Sequence, residues 1–249
     1  MEKKLAVQLY TVREEMKEGI RPLFKKLKEQ GWSGVEIGAM PVGYDPAEVA
    51  LALKENDLKA VGMHVPIEQL ISDLPSVLEE ADLYGTKDII CPYLPEDFQN
   101  ETGYREAKKI LNRISKDAPG YRISYHNHDF EFKTKVGEEN ALRYLLDPAD
   151  NNEILAEIDV YWVKKAGVDP LQFIEPYAHR IPNLHLKDMT NDDKQTFAEI
   201  GEGVIDFMPI LKWGEENGVE WYVVEQDTSQ QGPLKSLEMS FNNLMDLIK

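Results

Sequence analysis

One cysteine, Cys91, stands among 249 residues. A lone thiol excludes an internal disulfide and any cysteine-built zinc site, and it suits a reducing compartment. No stretch approaches the roughly 18 consecutive apolar residues of a membrane-spanning helix. The opening MEKKLAVQLYTVREE has no apolar core of signal-peptide length and no small-residue cleavage site, so it reads as a first strand. Basic residues are scarce: 28 Lys and Arg face 45 Asp and Glu, a net charge of −17. Such a surface repels phosphate backbones and anionic lipid, so neither nucleic acid nor a membrane is the expected partner. Acidity attracts divalent cations weakly everywhere, and by itself it is no evidence for a metal site. G-x-G-x-x-G does not follow the first strand. No linker, low-complexity tract or composition break divides the chain, so residues 1–249 are expected to form one domain in the cytoplasm.

What is present is a repeat: a short apolar run, a polar loop, then a longer amphipathic segment. The short runs are 5–10, 34–37, 58–64, 88–91, 121–126, 154–159, 181–187 and 219–226. They are rich in Val, Ile, Leu and Tyr, as buried parallel strands are. DPAEVALALKEN and VDPLQFIEPYAHR both open with Asp-Pro, an N-cap followed by a proline at the first helical position. PLFKKLKEQG and DFMPILKWGEENG end in glycine, and PLKSLEMSFNNLMDLIK closes the chain. Strand starts recur about every 30 residues, the length of a βαβ unit. Eight such units predict a single (β/α)8 barrel; the competitor is an open, doubly wound sheet.

In a barrel the chemistry collects at the C-terminal ends of the strands. Those ends carry Gln8 and Tyr10, Glu36, His64, Cys91, His126 and His128, Asp159, His185 with Lys187 and Asp188, and Glu225 with Gln226 and Asp227. Four of the five histidines fall there, and buried polar groups need partners, so one shared site is the economical reading. In YHNHDFEF, His126 and His128 share a face by alternation, whereas Asp129 and Glu131 belong either to the site or to a solvated loop. EIDVYW puts Asp159 at a strand end, as metal ligand or helix N-cap, with Glu157 deeper on the same face. NLHLKD pairs His185 with Lys187, which reads as an oxyanion-holding ammonium or as a solvated lysine. WYVVEQD ends an apolar strand in Glu225, a placement hard to explain as surface. EIGEGVID is either a loop near ligand or a plain turn.

Together LAVQLYTVRE, GVEIG, GMHVP, YHNHDFEF, EIDVYWVKKAG, RIPNLHLKD, EIGEGVIDF and VVEQD resemble the sugar phosphate isomerase/epimerase superfamily, the xylose isomerase-like barrels. The resemblance covers the full length. It implies one divalent metal (manganese, zinc, cobalt, iron or magnesium) held by a glutamate on strand five, an aspartate on six, a histidine on seven and a glutamate on eight. The last three are Asp159, His185 and Glu225. Strand five departs from the pattern: it ends Tyr125-His126-Asn127-His128, so either His126 replaces the carboxylate or water does. Branches that act on keto-glycosides have an acid/base histidine two positions after the strand-five ligand, which is the place of His128. The metal set is then His126, Asp159, His185 and Glu225. The catalytic set is Glu225, His128 and Lys187, and the substrate-binding set is Gln8, Tyr10, Glu36, His64 and Glu157. Tyr161 and Trp162 pack on a sugar face or serve the core.

The expected activity is isomerisation or epimerisation of a small sugar or keto-sugar through a metal-stabilised ene-diolate. Elimination on a 3-keto-glycoside or related polyol derivative is the alternative, and a sugar-binding barrel without catalysis is a third. A repair nuclease for abasic DNA, built on the same barrel, conflicts with the −17 charge. The expected partner is a small carbohydrate, and assembly as a homo-oligomer stays open.

Overall fold

In the computed structural model, which describes all 249 residues, eight parallel strands close into a barrel. They are β1 (Leu5–Gln8), β2 (Gly34–Ile37), β3 (Lys59–His64), β4 (Asp88–Cys91), β5 (Arg122–His126), β6 (Leu155–Asp159), β7 (Asn183–Leu186) and β8 (Trp221–Val224). β8 pairs with β1 through Leu5–Tyr222, Ala6–Val223 and Val7–Val224. That last ladder removes both edges and excludes the open doubly wound sheet. No helix is long and apolar enough to cross a membrane.

The two Asp-Pro openings cap helices as their chemistry requires. Asp45 accepts the N–H of Ala47 at 2.9 Å to start Pro46–Glu55, and Asp169 accepts that of Gln172 at 2.9 Å to start Pro170–Ile174. The second helix is shorter than its sequence pattern predicts. Pro176 lacks a backbone N–H, and the chain continues as a 3-10 turn over Glu175–Tyr177. Three strands also end before the predicted limit. Gln8 Oε1 accepts the N–H of Tyr10 and begins the 3-10 turn Leu9–Val12, so Tyr10 lies on the rim, 39% exposed. Lys187, Glu225 and Gln226 likewise follow the last paired residue of their strands.

Alternation along the strands sorts side chains between two environments. Outward residues such as Val7, Val35, Ile89, Tyr125, Ile158, Leu184 and Val224 join the large apolar layer under the helices. Inward residues form only a small apolar group, Ala6, Val61 and Val223 with Trp221 against it. Above them the barrel interior turns polar: Gln8, Glu36, Glu157, Asn183 and His185 are all 0–1% exposed. Gly62 makes the room, because a Cβ there would stand 3.0 Å from Glu36 Oε1 and 2.6 Å from Ile90 Cδ1.

The loop EIGEGVID is fastened from below by Asp188. Its carboxylate accepts the N–H groups of Met189 (2.7 Å), Gly201 (3.0 Å), Gly203 (3.0 Å) and Ile205 (3.1 Å). The loop is thus a built anchor rather than a plain turn. A Cβ at Gly203 would meet Asp188 Oδ1 at 2.3 Å and the Met189 carbonyl at 2.3 Å. Gly203→Ala is expected to destabilise the fold by about 1–3 kcal/mol, the usual effect of overpacking. Calorimetry should show a Tm several degrees lower; an unchanged Tm would mean that the loop is not held this way.

Candidate metal centre and acid-base site

The strand ends bring four of the five histidines together. His64 stacks on His185 at 5.7 Å, and His126 lies 5.1 Å from His64, 4.6 Å from His185 and 5.2 Å from His128, ring centre to ring centre. His126, Asp159, His185 and Glu225 each offer one donor atom, and these atoms all lie within 4.8 Å of one another. This donor set, two imidazoles and two carboxylates, suits a divalent ion of the first transition row.

Asp159 combines both readings its sequence context allowed. Oδ1 caps the helix Val160–Lys165 by accepting the N–H of Tyr161 at 2.9 Å and of Trp162 at 3.3 Å. Oδ2 is buried with no hydrogen-bond partner. A buried carboxylate oxygen without a hydrogen bond needs a neighbouring cation, and this one points into the donor set, as a ligand atom would. Lys187, 1% exposed rather than solvated, sits beside it. Its Nζ lies 3.1 Å from Asp159 Oδ2, 2.9 Å from Glu225 Oε2 and 2.8 Å from Asp227 Oδ1. A divalent cation among these donors competes with the ammonium for the first two oxygens, and Asp227 remains to hold the lysine. The residues present therefore fit a metal ion.

These contacts set the charges. Burial opposes ionisation of Glu225, yet Lys187 and His185 hold it well below the usual carboxylate range. Burial, then the nearby positive charge of His185 and His64, keeps His126 neutral. Burial, then Lys187, pushes His128 down to about 4, so it too is neutral at pH 7. Its Nδ1 is buried without a partner, while the ring stacks on Phe130 (5.3 Å) and packs on Trp162 (5.2 Å).

A cavity of about 350 Å³ opens above this group, lined by Gln8, Tyr10, His64, Tyr93, His126, His128, Lys187, Glu225 and Asp227, among others. A larger cleft of about 600 Å³ lies on the outer surface among Leu51, Lys54, Lys59 and Leu83; no cluster of metal-capable groups converges on it. Two members of the substrate-binding set are displaced by the geometry. Glu36 and Glu157 are 0% exposed and do not line the cavity; they lie beneath the imidazoles. Alternation had placed both on the inner face, with Glu157 deeper than Asp159, but it does not tell whether a side chain at that depth still reaches the cavity. Tyr93 was missed, because its only sequence signal was its place just after β4.

Glu131 is not in a solvated loop. It is 0% exposed, Oε1 accepts from Tyr125 Oη at 2.7 Å, and Oε2 accepts the backbone N–H of His128 at 2.8 Å. Burial pushes its carboxyl up to about 7. The unfolded chain releases this proton near pH 4.5 and the folded protein near 7. The stability that Glu131 contributes is therefore complete below pH 4.5 and is lost as pH rises to 7, by at most about 3 kcal/mol. Glu131→Gln, which cannot ionise, should flatten the fall in Tm across that window. An equal fall in both proteins would refute the assignment.

No family model matches the chain. An inosose dehydratase of Clostridium perfringens is 28% identical over 157 residues, 55% of this chain and 52% of that protein, so the chain spans about half the length of the curated relatives it matches. Among solved structures, a sugar phosphate isomerase/epimerase from Parabacteroides distasonis superposes with a TM-score of 0.83 at 22% identity, covering 100% of this chain and 96% of that one. The IOLI protein with a bound zinc atom superposes with a TM-score of 0.72 at 12% identity, covering 98% of each. Closed eight-stranded topology and full-length superposition agree: the chain is a (β/α)8 barrel with the same fold as solved sugar phosphate isomerase/epimerase and xylose isomerase domain proteins.

Proposed function

We propose that this chain is a metal-dependent enzyme that transfers a proton beside the carbonyl of a small, uncharged carbohydrate, as an isomerase or epimerase. The observation that carries this reading is the convergence of His126, Asp159, His185 and Glu225 at the base of a cavity that His128 and Lys187 also line. A divalent ion held by those four side chains supplies Lewis-acid polarisation of the carbonyl and its neighbouring hydroxyl. Glu225 and His128 follow strands three apart in a ring of eight, β8 and β5, so they reach the substrate from different sides. One removes the α-proton and, protonated by that step, returns it to the neighbouring carbon; return to the opposite face uses the other group after it has taken a proton from water. The Lys187 ammonium faces the same cavity and stabilises the oxygen that gains charge. Lys187 is the cavity's one lysine or arginine, and it is already matched by three carboxylates. No second lysine or arginine lines the cavity to hold a phosphate group, which favours a neutral substrate.

A second reading, elimination of water, is favoured by the similarity to inosose dehydratases. In it neutral His128 takes the α-proton and, protonated by that step, gives the same proton to the departing β-hydroxyl, which leaves as water. Both readings share the first step. The protein loaded with zinc or manganese should be incubated in D2O with ketoses, inososes and 3-keto-glycosides and followed by NMR. Deuterium at the α-carbon with all oxygens retained supports isomerisation or epimerisation; loss of water to an enone supports elimination. No exchange and no turnover with any of them would sink the enzyme reading and leave a binding barrel.

A further inference from the structure

We infer that Glu36 and Glu157 form a buried carboxylate pair that sets opposite tautomers on the two histidines of the metal centre, with His185 presenting Nδ1 and His126 presenting Nε2. The inference rests on the metal-site reading above and assigns a role to two side chains that do not face the cavity.

Each ring is addressed on both nitrogens. His126 Nδ1 lies 3.1 Å from Glu157 Oε2, while its Nε2 faces Asp159 Oδ2 at 3.9 Å. His185 Nε2 lies 2.8 Å from Glu36 Oε2 and 3.3 Å from Glu157 Oε2, while its Nδ1 faces Glu225 Oε2 at 3.3 Å. With a cation bound in place of the second proton of His185, each imidazole is neutral and carries one N–H, whereas the flanking carboxylates accept. Glu157 is nearer to His126 than Asp159 is (3.1 against 3.9 Å) and Glu36 nearer to His185 than Glu225 is (2.8 against 3.3 Å), so the proton on each ring lies toward the pair and the lone pair toward Asp159 and Glu225. A carboxylate behind a ligating histidine orients the ring and raises its basicity.

The pair is itself held rigidly. Gln8 Nε2 donates to Glu36 Oε2 at 2.7 Å. Asn183 Nδ2 donates to Glu36 Oε1 at 3.2 Å and to Glu157 Oε1 at 3.4 Å. His64 Nε2 lies between the two, 2.7 Å from Glu157 Oε2 and 3.0 Å from Glu36 Oε2. His64 therefore acts on this pair as well as on the cavity, and its positive charge offsets one of theirs. His64, His126, Glu157 and His185 also lie close enough to form a donor group of their own, so a deeper cation position is the rival. It is disfavoured because the one carboxylate of that group, Glu157, also accepts from Asn183, whereas Asp159 Oδ2, on the other side of the rings, makes no hydrogen bond and is matched only by the Lys187 ammonium.

The test uses zinc as probe. Long-range 1H–15N NMR of the uniformly 15N-labelled, zinc-loaded protein should show His126 protonated at Nδ1 and His185 at Nε2. The reversed tautomer on either ring overturns the proposal. Zinc affinity, measured by competition with a chelator, should fall about 10- to 100-fold in Glu36→Gln and in Glu157→Gln, as for lost partners behind a ligand. Asp159→Asn, which loses a ligand, should fall further. Unchanged affinity in both glutamine variants overturns the pair's role and leaves the metal site standing. Loss in Glu157→Gln as deep as in Asp159→Asn makes Glu157 a ligand and moves the cation to the deeper group. An unaltered protein that binds no zinc, manganese or cobalt overturns the metal reading and this inference with it. If a variant fails to fold, the tautomers of the unaltered protein still decide.

Discussion

Glu225→Gln is expected to abolish turnover and to weaken metal binding while the protein stays folded. The side chain is 7% exposed, at the base of the cavity, with Oε2 2.9 Å from the Lys187 ammonium and 3.3 Å from His185 Nδ1. Glutamine keeps the shape and removes the charge, so the metal centre loses an anionic ligand and the substrate loses a base. A lost general base alone slows a reaction by roughly 10² to 10⁴; with the metal weakened as well, the decrease should reach the upper end of that range. The fold tolerates the change because Lys187 keeps Asp159 and Asp227 as partners, so no buried ammonium is left unpaired. Activity and elemental metal content should be measured together. Near-normal values of both would remove Glu225 from the site.

The second large effect separates two histidines that stand two residues apart. His126→Ala should lower metal content, because its Nε2 faces Asp159 Oδ2 inside the donor group. His128→Ala should leave metal content nearly intact and slow the chemical step by roughly 10² to 10⁴. His128 lies outside that donor group, and its unpartnered Nδ1 is near the same cavity. The readout is metal content beside single-turnover rate for both variants. Full metal and full activity in both would reduce the segment to a structural turn. A reversed pattern, with His128→Ala losing the metal, would exchange the two roles.

Much of this architecture was legible in residue order. Alternating apolar runs every 30 residues or so specify strands buried on both faces, and eight of them place eight strand ends on one side. Asp-Pro openings specify helix starts through local chemistry alone, and both cap as expected. Alternation also identified which residues of EIDVYW and NLHLKD face inward, since it is a property of the backbone and needs no partner. Where the pattern overran, at Tyr10 and after Glu175, a side-chain cap and a proline ended the element.

Tertiary structure alone decided partnership and which inward side chains reach the cavity. Gln8, Glu36, His64, Glu157 and Asn183 come from five strands, separated by as many as 175 residues in order, and only closure of the barrel brings their polar atoms within hydrogen-bonding distance. Glu36 and Glu157 therefore read as substrate contacts in one dimension and as supports for His185 and His126 in three. Glu131 could read as site or as solvated loop, and only the fold buries it, with Tyr125 and the His128 amide donating to its carboxylate. The physical reason is the same in each case. Periodicity tells which way a side chain points, but desolvation and pairing depend on what lies opposite, and that is fixed by how strands far apart in sequence are registered around the ring.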